Sequence, residues 1–105
     1  MNLSIPQDYK EYLEHRGCFE GITRGEPGYI ALWPLDEIPG NNAEIEIQAL
    51  APGYTAFAGD GGGEVLAFDA SGAVYKLPLI GMEPRCATKI ASNFSELSAR
   101  FEPVA

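Results

Sequence analysis

The sequence predicts an α+β fold, a single domain over residues 1–105 with a mainly antiparallel or mixed sheet and a helix at each end. Three observations predict it. Apolar residues recur at helical spacing near the start, in Tyr9, Tyr12 and Leu13. A second, capped helical pattern begins at Asn93. Between them lie short runs of aromatic and branched residues, punctuated by glycine and proline. The most distinctive is Phe57-Ala58-Gly59-Asp60-Gly61-Gly62-Gly63-Glu64-Val65-Leu66-Ala67-Phe68, which reads as strand, tight loop, strand. At 105 residues and 46% hydrophobic, the chain has the size and composition of one core-forming domain.

Each element has a local reason. Pro6 suits a first helical turn, where its missing amide proton is not needed, and Ser4 with Gln7 has the spacing of a capping pair. Gly17 after Arg16 stops that helix, which gives a span of about 6–16. Residues 21–28 carry three glycines and a proline and read as a loop. Tyr29 to Trp33 reads as a strand that Pro34 ends. Leu35 to Ile38 suits one helical turn before Pro39-Gly40-Asn41-Asn42 breaks it. Glu44-Ile45-Glu46-Ile47-Gln48 alternates polar and apolar residues, the mark of a half-exposed strand. Pro52-Gly53 is a turn, and Tyr54 to Ala58 and Glu64 to Asp69 are strands around the glycine loop. Asp69-Ala70-Ser71-Gly72 has hairpin chemistry and leads into a strand over 73–80, with Pro78 weakening its far end or marking an edge. Thr88 to Ser92 reads as an approach turn or an extra helical turn. Asn93 with Glu96 then caps a helix whose Phe94, Leu97 and Phe101 share a face, and Pro103 closes it.

Composition narrows the function. Fifteen acids against seven bases give a net charge of -8, which disfavours nucleic acid and anionic lipid as partners and suits a basic protein. No apolar run has the length of a membrane span, and the start lacks the pattern of a signal peptide, so a cytoplasmic protein is expected. Cys18 and Cys86 are too few for a disulfide framework and are expected as free thiols, buried as small hydrophobes.

The residues offer no catalytic constellation. The glycine loop lacks the lysine, hydroxyl residue and following helix of a phosphate loop, and its acids repel phosphate. Asp60 and Glu64 are few for calcium, which takes six or more oxygens; the better reading is a turn whose acids accept backbone amide protons or face water. His15, the one histidine, suits the end of a helix better than a triad, and with two distant cysteines it shows no zinc spacing. No metal or cofactor is expected. Asp36, Glu37, Glu44 and Glu46 form either a solvated surface or an acidic patch for a basic partner, joined in the widest version by Asp60 and Glu64. Trp33 reads as core, with an interface anchor as the alternative.

These pieces resemble the SUKH superfamily in its Smi-one/Knr-four, cell-wall-regulator branch. The matching residues are Ile5 to Leu13, Leu32-Trp33-Pro34-Leu35-Asp36-Glu37-Ile38, Pro52-Gly53, Phe57 to Glu64, Ala67-Phe68-Asp69 and Ile90 to Leu97. Members often carry Asn-Gly after the first helix, where this chain has Arg16-Gly17. The resemblance implies a binding protein rather than an enzyme. Its bacterial members are similar to immunity proteins that neutralise polymorphic toxins, often nucleases, and its fungal members regulate cell-wall synthesis through protein partners. It supplies no catalytic residues, and Trp33 with Gly59, Asp60, Gly61, Gly62, Gly63 and Glu64 is implied to be a structural motif. The expectation is a monomer or weak dimer that binds a basic toxin domain, or as the alternative a regulatory scaffold for a host protein.

Overall fold

A computed structural model describes residues 5–102. Its centre is a six-stranded sheet in the order of the sequence, antiparallel throughout. The strands are β1 (Glu20–Ile22), β2 (Tyr29–Leu32), β3 (Thr55–Gly59), β4 (Glu64–Phe68), β5 (Val74–Pro78) and β6 (Thr88–Ala91). Helix α1 (Gln7–Arg16) precedes the sheet, α2 (Ile38–Glu44) and α3 (Ile47–Leu50) lie between β2 and β3, and α4 (Phe94–Ser98) follows it. The α+β architecture is as expected, and the antiparallel option holds over the mixed one.

The sheet is buried on both faces, and its side chains sort accordingly. One face carries Ile30, Leu32, Phe57, Leu66, Phe68 and Val74, and α1 and α4 cover it with Tyr9, Phe94 and Leu97. Phe57 and Phe68 stack with ring centroids 3.9 Å apart, and the edge of Tyr9 meets Phe57 at 5.1 Å. The other face carries the smaller Ala56, Val65, Ala67 and Leu77, against Ile47, Ala51 and Met82. A register shift between Ala56 and Ala58 lets Phe57 and Ala58 both join the first face. The Phe57 carbonyl at that bulge accepts the Trp33 amide at 2.9 Å, and the buried Tyr9 hydroxyl lies 2.7 Å from the Trp33 oxygen and 3.3 Å from the Phe57 oxygen. Burial pushes the Tyr9 pKa up, and the hydroxyl stays a donor at any ordinary pH.

The helix termini follow their caps. Pro6 takes the N-cap position of α1 with no side-chain hydrogen bond, while the Ser4 pairing lies outside the described residues. Gly17 stops α1 at φ 72°, its amide donating to Leu13 O. Asn93 caps α4 by accepting the Glu96 amide at 2.8 Å, and Asp8 of α1 accepts the Ser95 amide at 3.2 Å. Helix α4 ends at Ser98, so Phe101 lies beyond it and bridges to Thr23; Pro103 lies outside the described residues. That bridge, with Arg24 N to Arg100 O and Glu102 N to Ile22 O, ties the final segment to the outer side of β1. The Arg100 guanidinium reaches Glu26 O at 3.0 Å and Ile90 O at 2.8 Å, linking the β1–β2 turn to β6.

Four local expectations are corrected. Residues 44–48 are not a strand: α2 ends at Glu44, α3 starts at Ile47, and Glu46 between them holds φ 57°. The alternation there reflects a turn between two helices that leaves Ile45 half-buried and Ile47 buried. Pro39-Gly40-Asn41-Asn42 does not break the helix but lies inside α2, because Pro39 falls in the first turn, where its lack of an amide proton is harmless. The predicted 21–28 loop begins as strand β1, whose Gly21 pairs with Ile30. Thr88–Ala91 is strand β6, because β5 supplies the ladder that a short exposed segment cannot supply for itself.

A candidate protein-binding surface

The eight acids between Arg24 and Lys76 face no lysine, arginine or histidine in that stretch, whereas the rest of the chain balances seven acids with seven bases. The whole net charge of -8 therefore resides in residues 25–75. The fold divides these acids into two groups.

Four are engaged in structure. Asp60 Oδ1 accepts the amides of Gly62 at 2.8 Å and Glu64 at 3.0 Å, while its own amide donates to Glu64 O. Asp69 repeats the plan one hairpin later, accepting the amides of Ser71 at 2.9 Å and Ala73 at 3.0 Å and donating its amide to Ala73 O. Both loops close through a glycine at positive φ, Gly63 at 95° and Gly72 at 89°. Burial acts to raise the Asp69 pKa, but hydrogen bonds from the Ser71 hydroxyl, the Ala73 and Ser71 amides and Tyr75 outweigh it and hold the carboxyl below its ordinary value. Glu26 pairs with Lys76 at 2.9 Å, and Glu64 lies 3.7 Å from the same ammonium. These contacts raise the Lys76 pKa, the hydrogen bond to Glu26 foremost.

The other four are Asp36, Glu37, Glu44 and Glu46. All are exposed, and none forms an ion pair with another described residue. They sit in the β2–β3 crossover: Asp36 and Glu37 in a 3-10 turn (Leu35–Glu37), Glu44 at the end of α2, and Glu46 before α3. Glu44 and Glu46 do not share a strand face, since there is no strand. The crossover joins the end of β2 to the start of β3, whereas Asp60 and Glu64 belong to the hairpin at the other end of β3. Asp60 and Glu64 thus sit at the opposite end of β3 from the start of that strand, where the crossover enters.

What holds the crossover in place is Asn42, which is 1% exposed. Its amide nitrogen donates to Ile38 O at 2.7 Å and Ala56 O at 2.9 Å, and its oxygen accepts the Ala56 amide at 2.8 Å. The side chain thus satisfies the β3 backbone where the bulge interrupts the ladder. Its role is hidden in the sequence, because Asn42 sits in a run that reads as a helix breaker; its spacing of four from Ile38 is the available signal.

The remaining candidates fall into place. His15 Nδ1 lies 2.8 Å from Glu11 O in the last turn of α1, a helix-terminal role. Trp33 is half-buried and packs against both core clusters. Both cysteines are exposed rather than buried, which corrects the expectation of core thiols: Cys18 follows the helix stop and Cys86 ends a 3-10 turn. The Cys18 thiol is pushed up by local burial and then by the charges of Glu37 and Asp36, the reverse of what a nucleophile needs. Among the described residues no group of three or more histidine, cysteine or acidic side chains could hold a metal ion, and no helix is long and apolar enough to cross a membrane.

No curated protein matches the chain in sequence. The model of the SMI1 / KNR4 family (SUKH-1) matches residues 1–100. With that match covering nearly the whole sequence, the chain belongs to the SMI1 / KNR4 family, SUKH-1.

Proposed function

We propose that this protein is a binding module of the immunity type, which neutralises a basic toxin domain by covering it, and that it is not an enzyme. The observation that carries the proposal is the uneven use of its acids. Turn and ion-pair duties absorb Asp60, Asp69, Glu26 and Glu64, while Asp36, Glu37, Glu44 and Glu46 stand exposed on one connection with no structural task among the described residues. Unpaired surface charge of one sign speeds encounter with an oppositely charged partner and discriminates among partners. A nuclease groove is the natural complement, since it must be basic to hold phosphate.

The test is pull-down of the protein's partner from the native cell, followed by co-expression of the two. Rescue of growth and a salt-sensitive complex are expected, with affinity falling about tenfold or more when Asp36, Glu37, Glu44 and Glu46 are all replaced by lysine. Unchanged rescue and an unchanged salt slope in that variant would overturn the proposal.

A further inference from the structure

An open groove of about 700 Å³ runs between the outer face of α1 and the Pro34–Asp36 turn. Leu13, Pro34 and Leu35 give it an apolar floor, and Leu35 remains 42% exposed. Lys10 and Glu14 stand one turn apart on the α1 wall and cancel in charge. The sign of the groove is therefore set by Asp36, by Glu37 beside it, and by the C-terminal end of α1 at Gly17, where helix carbonyls carry partial negative charge. His15 and Arg16 in the last turn of α1 oppose that end but do not line the groove.

We propose that this groove seats a loop of the basic partner in which an arginine is flanked by apolar side chains, a deepening that rests on the protein-binding reading above. The apolar neighbours and the arginine stem cover Leu13, Pro34 and Leu35. The guanidinium faces the carboxylates of Asp36 and Glu37, and its planar fork suits adjacent oxygen acceptors better than an ammonium does. A purely ionic partner would leave the floor wet, and a purely apolar one would leave the acids facing nothing. Cys18 lines the same groove, and its thiol is pushed up first by burial and then by the charges of Glu37 and Asp36.

The two cysteines make the test internal to the unmodified chain. A random peptide library displayed on phage is selected against the protein, and enriched peptides are synthesised. Maleimide labelling of Cys18 and Cys86 is then followed at pH 8.5 with and without peptide. Arginine-bearing peptides with leucine, isoleucine or phenylalanine neighbours are expected. They slow Cys18 labelling about tenfold while Cys86 labels at its free rate, and Asp36→Lys weakens them about tenfold. Lys10→Glu tightens them. Arginine-rich peptides that protect neither thiol, or both equally, overturn the groove and leave the broader reading standing. So do arginine peptides without apolar neighbours. Failure to enrich basic peptides at all overturns both.

Discussion

The loop after β3 carries two acids and the crossover before it four, and the two sets are entirely different in kind. In the loop, Asp60 is enclosed by the amides it organises, and the same device recurs around Asp69 between β4 and β5. In the crossover, position is fixed by a neutral buried amide, Asn42, and the acids hang outside it. Charge therefore does structural work at one end of β3 and is surplus to structure at the other. Removing charge from the loop should cost stability, whereas removing it from the crossover should cost recognition alone.

The largest effect is expected at Asn42. Asn42→Ala strips both backbone groups of Ala56 of their side-chain partner in a dry site, a loss of about 3 kcal/mol. Urea unfolding measures it; a loss below about 1 kcal/mol would mean that water or the strand repairs the gap. The glycines come next. A Cβ on Gly61 meets Tyr29 Cδ1 at 3.2 Å as well as adopting φ 76°, whereas one on Gly72 at φ 89° finds only ordinary contact with Pro6 at 3.7 Å. Gly61→Ala should thus cost about 2 kcal/mol and Gly72→Ala about 1 kcal/mol. The reverse order in thermal melts would refute the role given to Tyr29.

The aspartates follow. Asp60→Ala and Asp69→Ala each free two backbone amides and should cost about 1 kcal/mol, as loss of a helix cap does. Asp69 is the dearer, since the Ser71 hydroxyl also binds it at 2.6 Å. Its pH dependence has a fixed sign. The folded-state pKa lies below the ordinary value of 3.8, so the stabilisation is present above that value and lost as pH falls through the folded pKa. Asp69→Asn should flatten the acid side of the stability curve below about pH 4; a wild-type slope there would remove Asp69 as its source. Smallest are Asp36→Asn, Glu37→Gln, Glu44→Gln and Glu46→Gln, each within about 0.5 kcal/mol of wild type in stability. A larger stability loss in any of them would give that acid a structural duty and blur the contrast.

How much could be read beforehand follows the same division. The two hairpins were legible because their chemistry is local: Asp60 to Glu64 and Asp69 to Ala73 carry acceptor, glycine and ladder within five residues. The Gly17 stop and the Asn93 cap were legible for the same reason. The crossover was not, because what makes residues 38–44 helical and fixed is Ala56, fourteen residues beyond Asn42. Strand β6 was missed because its partner Val74–Lys76 defines it. The individual acids were visible in the sequence, but their division into engaged and idle groups required the pairing that sets Lys76 on β5 beside Glu64 on β4 and the fold that brings Glu26 to the same ammonium.

The tie between the final segment and β1 has a consequence for how such a molecule can be recognised. A sheet normally offers its outermost strands as templates for an incoming strand. Here the outer side of β1 already holds Phe101 and Glu102, and β6, only four residues long and bearing Lys89, has its Ile90 carbonyl taken by Arg100. Strand addition is blunted on both flanks. Discrimination then falls to the side chains the molecule displays, which a few surface substitutions can rewrite while the frame stays the same.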